Sequence, residues 1–322
     1  LDGAILDELR AGRRHPRTDA IVDPRVRLYD ADALEEAMAE AEVLVLAISS
    51  EGVLEVLGLA VRYLQAGTIV PFVTKGFGRD RHGLVRLLPP LLEEVIPPDL
   101  RERCPLVAIG GPCKANEVGT GRPTGAVYAS RHPGVAGAVA DLFATDAYRV
   151  ELSDDVEGVE AASAIKNVYA IALGVCEGLG ERGEPFHDLE AAVFTQAVAE
   201  MRHLTAVLGG DEATVGGLAG TGDLQVTGRS GRNKLYGVRI GRGEPAGEAL
   251  EAMAAGQAVE GAPAARLARD LVEQRADQLS LDALPLLHAI NDLLDEAGDP
   301  AELLAEAALP PRRPARTGRG ST

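Results

Sequence analysis

A chain of 322 residues is long enough for two domains, and 46% hydrophobic with 25% charged residues allows a sizeable core. A formal net charge of −17 argues against nucleic acid or an anionic membrane as a general partner. Three cysteines without a C-x-x-C pattern, and 6 His without an H-x-x-x-H pair, give neither a disulfide framework nor a metal site. No signal peptide and no charge-free apolar run of membrane-spanning length is visible, so the cytoplasm is the expected setting.

In chain order, residues 1–17 predict a short amphipathic helix entering a basic turn. Aliphatic runs at 26–30, 42–50, 68–76, 105–112, 124–130 and 148–152 predict strands, with helices at 31–41, 51–64, about 83–95 and 133–144 between them. That alternation predicts an α/β fold, a doubly wound (Rossmann-like) parallel sheet over residues 1–152. Ligands of such a sheet sit beyond the C-terminal strand ends, where Ser49-Ser50, Lys75-Gly76 and Gly110 to Ala115 fall. From 153 the strand pattern stops. Helices at 153–180, 187–208, 246–256, 261–275, 281–296 and 299–308 predict an all-helical substrate domain over 153–309. Residues 216–243 are too rich in Gly for a regular element and are expected to form a specific loop, and 310–322, with four Arg, a disordered tail.

The helix at 153–180 is capped by Ser153 or Asp154, with Asp154 and Glu157 at capping-box spacing. Past its acidic start it is almost wholly Ala, Val, Ile, Leu and Gly, yet Lys166 and Asn167 interrupt the apolar run. Such groups are costly to bury without partners or a ligand; the alternative is a Lys that snorkels to a helix edge. The stretch 216–243 offers Asp223, Thr227, Arg229, Arg232, Asn233 and Lys234 on a Gly-rich backbone. Arg232 followed by Asn233 suits a phosphate or carboxylate, the alternative being a solvated loop. Lys75, before Gly76, is a further cation or a simple exposed Lys. Two lysines and an Asp can run a carbonyl–alcohol redox reaction: one Lys moves the hydroxyl proton, the other holds the oxyanion, and the Asp balances charge. The hydride must come from a cofactor.

With these residues the chain resembles the NAD(P)-dependent sn-glycerol-3-phosphate dehydrogenase family. The segments AISSEGVLEVL, VTKGF, GGPCKANEV, SAIKNVYAIALGV, GLAGTGDLQVTGRSGRNKLYG and GQAVEG carry the resemblance in family order, from about residue 40 to 265. It implies interconversion of dihydroxyacetone phosphate and sn-glycerol 3-phosphate with NAD or NADP. Lys166 would be the proton donor and acceptor, and Lys75 would contact substrate and cofactor. Asp223 and Thr227 would bind the substrate hydroxyl region, Arg232 and Asn233 the phosphate, and Gly111 and Asn167 would line the same site. Ser49, Ala115, Arg232, Ala258 and Glu260 would lie on the cofactor side. A small phosphorylated substrate, no metal, no nucleic acid, no membrane span and a homodimer are the implied partnerships.

Three features depart from the family pattern. Cys113 stands where Ser is frequent, followed by Lys114 in place of an apolar residue, and Gly231 replaces the Ser before Arg-Asn. The strand–GxGxxG–helix–strand unit that opens such a domain is missing, since GLAGTGDL follows no strand. Roughly 25–35 residues are therefore expected to precede Leu1 in a complete domain. Two alternatives stay open: a related reductase of another small 2-oxo or hydroxy acid, and a truncated non-catalytic homologue.

Overall fold

A computed structural model describes residues 3–16, 18, 20–254 and 259–312. Its first part holds six strands: β1 (Val70–Phe72), β2 (Phe77–Arg79), β3 (Val85–Leu87), β4 (Leu106–Gly110), β5 (Thr124–Ala129) and β6 (Tyr148–Ser153). Helices α1 (Gly3–Gly12), α2 (Leu34–Met38), α3 (Val53–Ala60), α4 (Leu88–Val95), α5 (Ala115–Gly119) and α6 (Val135–Phe143) lie between and before them. The main sheet runs β1-β4-β5-β6, with β1–β4 and β5–β6 parallel and β4–β5 antiparallel, so the sheet is mixed where the sequence suggested a wholly parallel one. The chain leaving β4 contains only the five-residue α5 and turns back, instead of making the longer crossover that a parallel neighbour needs.

The apolar run 42–50 lies beside β1 in parallel, but only through isolated bridges at Val43–Ile69 and Leu46–Phe72. Leu44 N donates to Ile69 O and Leu46 N to Pro71 O, yet Pro71 has no N–H to return a bond, and the ladder breaks there. Residues 26–30, expected as a strand, are irregular. Residues 77–87 form a hairpin where the sequence reading placed the start of a helix. Asp80 sets that turn: its carboxylate accepts from His82 N at 2.9 Å and Leu84 N at 3.0 Å. Two apolar layers cover the sheet, one around Phe72, Leu88 and Leu92, the other around Val107, Tyr128 and Val139.

The second part is helical: α7 (Val156–Gly180), α8 (His187–Val207), α9 (Asp223–Arg229), α10 (Arg232–Gly241), α11 (Ala246–Ala254), α12 (Gly261–Gln274), α13 (Pro285–Leu294) and α14 (Pro300–Ala308). Asp155, not Ser153 or Asp154, caps α7, accepting from Gly158 N at 2.9 Å. Helix α7 is long and apolar enough to cross a membrane, but its apolar stretch is buried inside the protein, with Glu177 exposed near its end. Buried Glu200 of α8 receives Leu286 N at 2.6 Å and Leu287 N at 2.9 Å, which satisfies the first turn of α13.

The stretch 216–243 is not a loop. It forms a wide π-type turn at Leu218–Gly222 and then α9 and α10. Gly220, Gly228, Gly237 and Gly241 within it serve packing: a Cβ on Gly237 would overlap the carbonyl of Ile171, and one on Gly174 or Gly178 of α7 would overlap carbonyls of α10. Two helices approach backbone to backbone along this seam, and burial repays the helix penalty of glycine. Gly237→Ala is expected to cost about 1–3 kcal/mol by overpacking. Chemical denaturation checks this, and an unchanged midpoint would contradict the close approach.

Candidate active site

Three elements converge where the sheet meets α7. Lys166 projects from the middle of α7, Lys75 follows β1, and Asp223 opens α9, where the helix dipole favours a carboxylate. The preceding turn fixes Asp223, because Thr221 Oγ1 donates to Val215 O at 2.8 Å and Gly220 packs on the Val215 backbone too closely for a side chain. Asp223 is 2% exposed, and its two oxygens serve two lysines. Oδ2 receives Lys75 Nζ at 2.5 Å, and Oδ1 receives Lys166 Nζ. Lys75 Nζ also donates to Gly111 O at 3.2 Å, and Lys166 Nζ to Thr227 Oγ1 at 3.0 Å.

One carboxylate thus sits between two ammonium groups, and the lysines respond oppositely. Burial pulls Lys166 down, the Lys75 charge pulls it further, and Asp223 offsets only part, which leaves it at about 8. Burial also acts to lower Lys75, but Asp223 overcomes it and holds Lys75 above the ordinary lysine value. The arrangement therefore holds one permanent cation beside one lysine able to exchange a proton near neutral pH.

Beside this cluster lies a cleft of about 310 Å³ whose walls include Ser50, Leu54, Lys75, Phe77, Asn167 and Glu260. Asn167 Nδ2 donates to Glu260 Oε2 at 3.4 Å across it. Ser49 is exposed and does not line the cleft, its carbonyl accepting from Gly52 N and Val53 N at the start of α3. Ser50, its neighbour, lines the cleft in its place. Ala115 begins α5 and is exposed; Ala258 lies outside the described residues. Gly111 is buried with φ +109°, and a Cβ there would meet Gly125 O at 3.1 Å, so the turn that offers its carbonyl to Lys75 requires glycine.

Arg232 begins α10, exposed and with no hydrogen-bond partner among the described residues. Asn233 turns inward instead: its Oδ1 accepts from Gly261 N at 2.8 Å and fixes the start of α12. Lys234 leaves the site to pair with Glu177 of α7. Lys114 reaches across from the sheet side and donates to Ser230 Oγ at 2.7 Å, two residues before Arg232.

Sequence reasoning overlooked Glu160, a second polar interruption of α7 that was grouped with the helix's acidic start. It is 2% exposed and its Oε1 accepts from Gly76 N at 3.2 Å, directly after Lys75. The signal was present: an acidic residue beyond the first turn of a helix that is otherwise apolar.

Comparison with known proteins bears on this geometry. Residues 4–136 match the NAD-dependent glycerol-3-phosphate dehydrogenase N-terminus and residues 155–305 the corresponding C-terminus. The chain belongs to the NAD(P)-dependent glycerol-3-phosphate dehydrogenase family. An NADP(+)-dependent glycerol-3-phosphate dehydrogenase of Archaeoglobus fulgidus is 37% identical over 251 residues, covering 78% of this chain and 73% of that protein. A glycerol-3-phosphate dehydrogenase [NAD(P)+] of Desulfitobacterium hafniense is 36% identical over 92% of this chain and 78% of its own length. The crystal structure of glycerol-3-phosphate dehydrogenase from Coxiella burnetii superposes with a TM-score of 0.80 at 28% identity, covering 95% of this chain and 88% of that one. A glycerol-3-phosphate dehydrogenase needs a proton-transfer group, an oxyanion partner and a phosphate cation, and Lys166, Lys75 and Arg232 are of the types required.

Proposed function

We propose that Lys166, Lys75 and Asp223 form the proton-transfer centre of an oxidoreductase that interconverts dihydroxyacetone phosphate and sn-glycerol 3-phosphate with NAD(P). The observation that carries this reading is the Asp223 carboxylate shared between a raised Lys75 and a Lys166 brought down to about 8. In reduction, the Lys166 ammonium gives its proton to the carbonyl oxygen as it becomes an alkoxide, and in oxidation the neutral amine takes it back. Lys75 stays charged and stabilises that oxygen, while Asp223 and Thr227 hold the Lys166 amine in place.

The cleft suits a nicotinamide: an amide, a carboxylate and a hydroxyl at Asn167, Glu260 and Ser50 alternate with apolar Leu54, Phe77 and Pro263. Asn167, Glu260, Ser50 and Lys75 would hold that end of the cofactor, which supplies or accepts the hydride when bound. Ser49, Ala115 and Ala258 are proposed for its outer parts.

Arg232, at the start of α10 and with no side-chain partner among the described residues, is proposed to bind the substrate phosphate, and buried Asn233 to tie α10 to the start of α12 beside it. Arg232→Ala is expected to raise KM for dihydroxyacetone phosphate by roughly 10–100-fold and to leave unphosphorylated dihydroxyacetone unaffected. Steady-state kinetics on both substrates checks this; equal losses would count against phosphate recognition. A homodimer, as expected for such a family, is proposed as the assembly.

A further inference from the structure

The bend that carries Lys75 has few restraints of its own. Thr74 Oγ1 is tied to Ile48 O at 2.8 Å, and the hairpin resumes at Phe77. Between them Gly76 has φ +143°, a conformation that side-chain-bearing residues rarely adopt, and a Cβ there would meet Ser50 Cβ at 3.2 Å. The Gly76 N–H is held by Glu160 Oε1 at 3.2 Å, and Glu160 lies less than two turns before Lys166 on the same buried helix. We propose that Glu160 is a positioning residue: its carboxyl anchors the Gly76 N–H and so fixes where Lys75 sits relative to Lys166 and Asp223. This inference rests on the proton-transfer role proposed for that cluster.

The chemistry suits an anchor better than a counterion. Burial pushes the Glu160 carboxyl well above the carboxylate range, against the smaller pulls of the Gly76 N–H and Lys75. The carboxyl can accept the Gly76 N–H whether or not it is protonated, while the Lys75 ammonium gives its hydrogen bonds to Asp223 and Gly111. The charged groups that set the proton affinity of Lys166 are then Lys75, from the end of β1, and Asp223, from α9. Because Lys75 helps to bring Lys166 down, releasing the bend lets Lys75 withdraw and Lys166 rise toward the ordinary lysine value of about 10.4.

The test compares Glu160→Gln, Glu160→Asp and Glu160→Ala by two readouts: the NMR titration of the Lys166 side-chain nitrogen in the free protein, and the pH dependence of kcat. Gln keeps a carbonyl acceptor at the same reach, so the Lys166 midpoint should stay near 8 and kcat within about threefold of the parent. Ala and the shorter Asp should move the midpoint upward and lower kcat by ~10–100-fold with KM little changed. If Ala prevents folding, Asp carries the comparison. An unmoved midpoint in Asp and Ala, or a Gln variant that shifts with them, would overturn the proposal. The expected titration shifts in a parent chain without turnover would support the anchoring role and sink the reductase reading instead.

Discussion

Lys166→Met is expected to lower kcat for dihydroxyacetone phosphate reduction by ~10²–10⁴-fold, the usual yield of a positioned acid, while the protein stays folded. Methionine matches the volume of a lysine stem, and position 166 is 7% exposed, so the substitution removes a costly buried charge without opening a cavity. The pH dependence follows from the sign of the shift. Reduction needs the ammonium form, so kcat/KM for reduction should fall as pH rises through about 8; oxidation needs the neutral amine, and its kcat/KM should fall as pH drops through the same value. Steady-state rates in both directions, with circular dichroism as the folding control, check this. A folded Met variant that turns over at the parent rate would remove Lys166 from the mechanism.

Asp223→Asn has the second large expected effect, and it reaches stability as well as rate. The substitution keeps the shape but leaves the Lys75 and Lys166 ammonium groups facing each other without their shared counter-charge. Removing one partner of a buried ion pair costs about 3–5 kcal/mol, and here two partners lose it. Both lysines lose the interaction that opposes burial, so their affinity for protons falls and the Lys166 midpoint moves below about 8. Both folded-state values then lie below the unfolded value of about 10.4, so the unfolded chain binds more protons in that window and stability rises with pH across it. The deficit of the variant should therefore be largest near neutral pH and shrink on the alkaline side. Denaturation midpoints of parent and variant across pH measure it; a constant deficit would mean that Asp223 acts through packing and not through charge.

The sequence made some of this visible and hid the rest for identifiable reasons. A lysine and an asparagine in an apolar helix are legible because burying them demands a compensating partner, and the partner, Asp223, lies in a segment that the glycine content also marked out. The sequence makes that segment look like a loop because a glycine's helix penalty is a local property, whereas its reward, the contact of Gly237 with the Ile171 carbonyl, depends on a neighbouring helix. Asn233 resembled a phosphate ligand in the Arg-Asn pair, but its turn inward to Gly261 is set by where α12 begins. The break in the ladder at Pro71 was legible in principle, since a proline cannot donate wherever it sits in a sheet. The antiparallel entry of β5 was not, because aliphatic runs carry no direction.

The role proposed for the Asp223 carboxylate, shared between two lysines, is to ready Lys166 to move the substrate proton. The pH dependence of kcat/KM for dihydroxyacetone phosphate reduction, with NADH and with NADPH, in the parent chain and in Lys166→Met, measures this directly. In the parent, kcat/KM should decline through a single ionisation near pH 8, and the residual rate of the variant should show no such ionisation. A parent rate that stays level through that pH, or the same ionisation surviving in the variant, would contradict it.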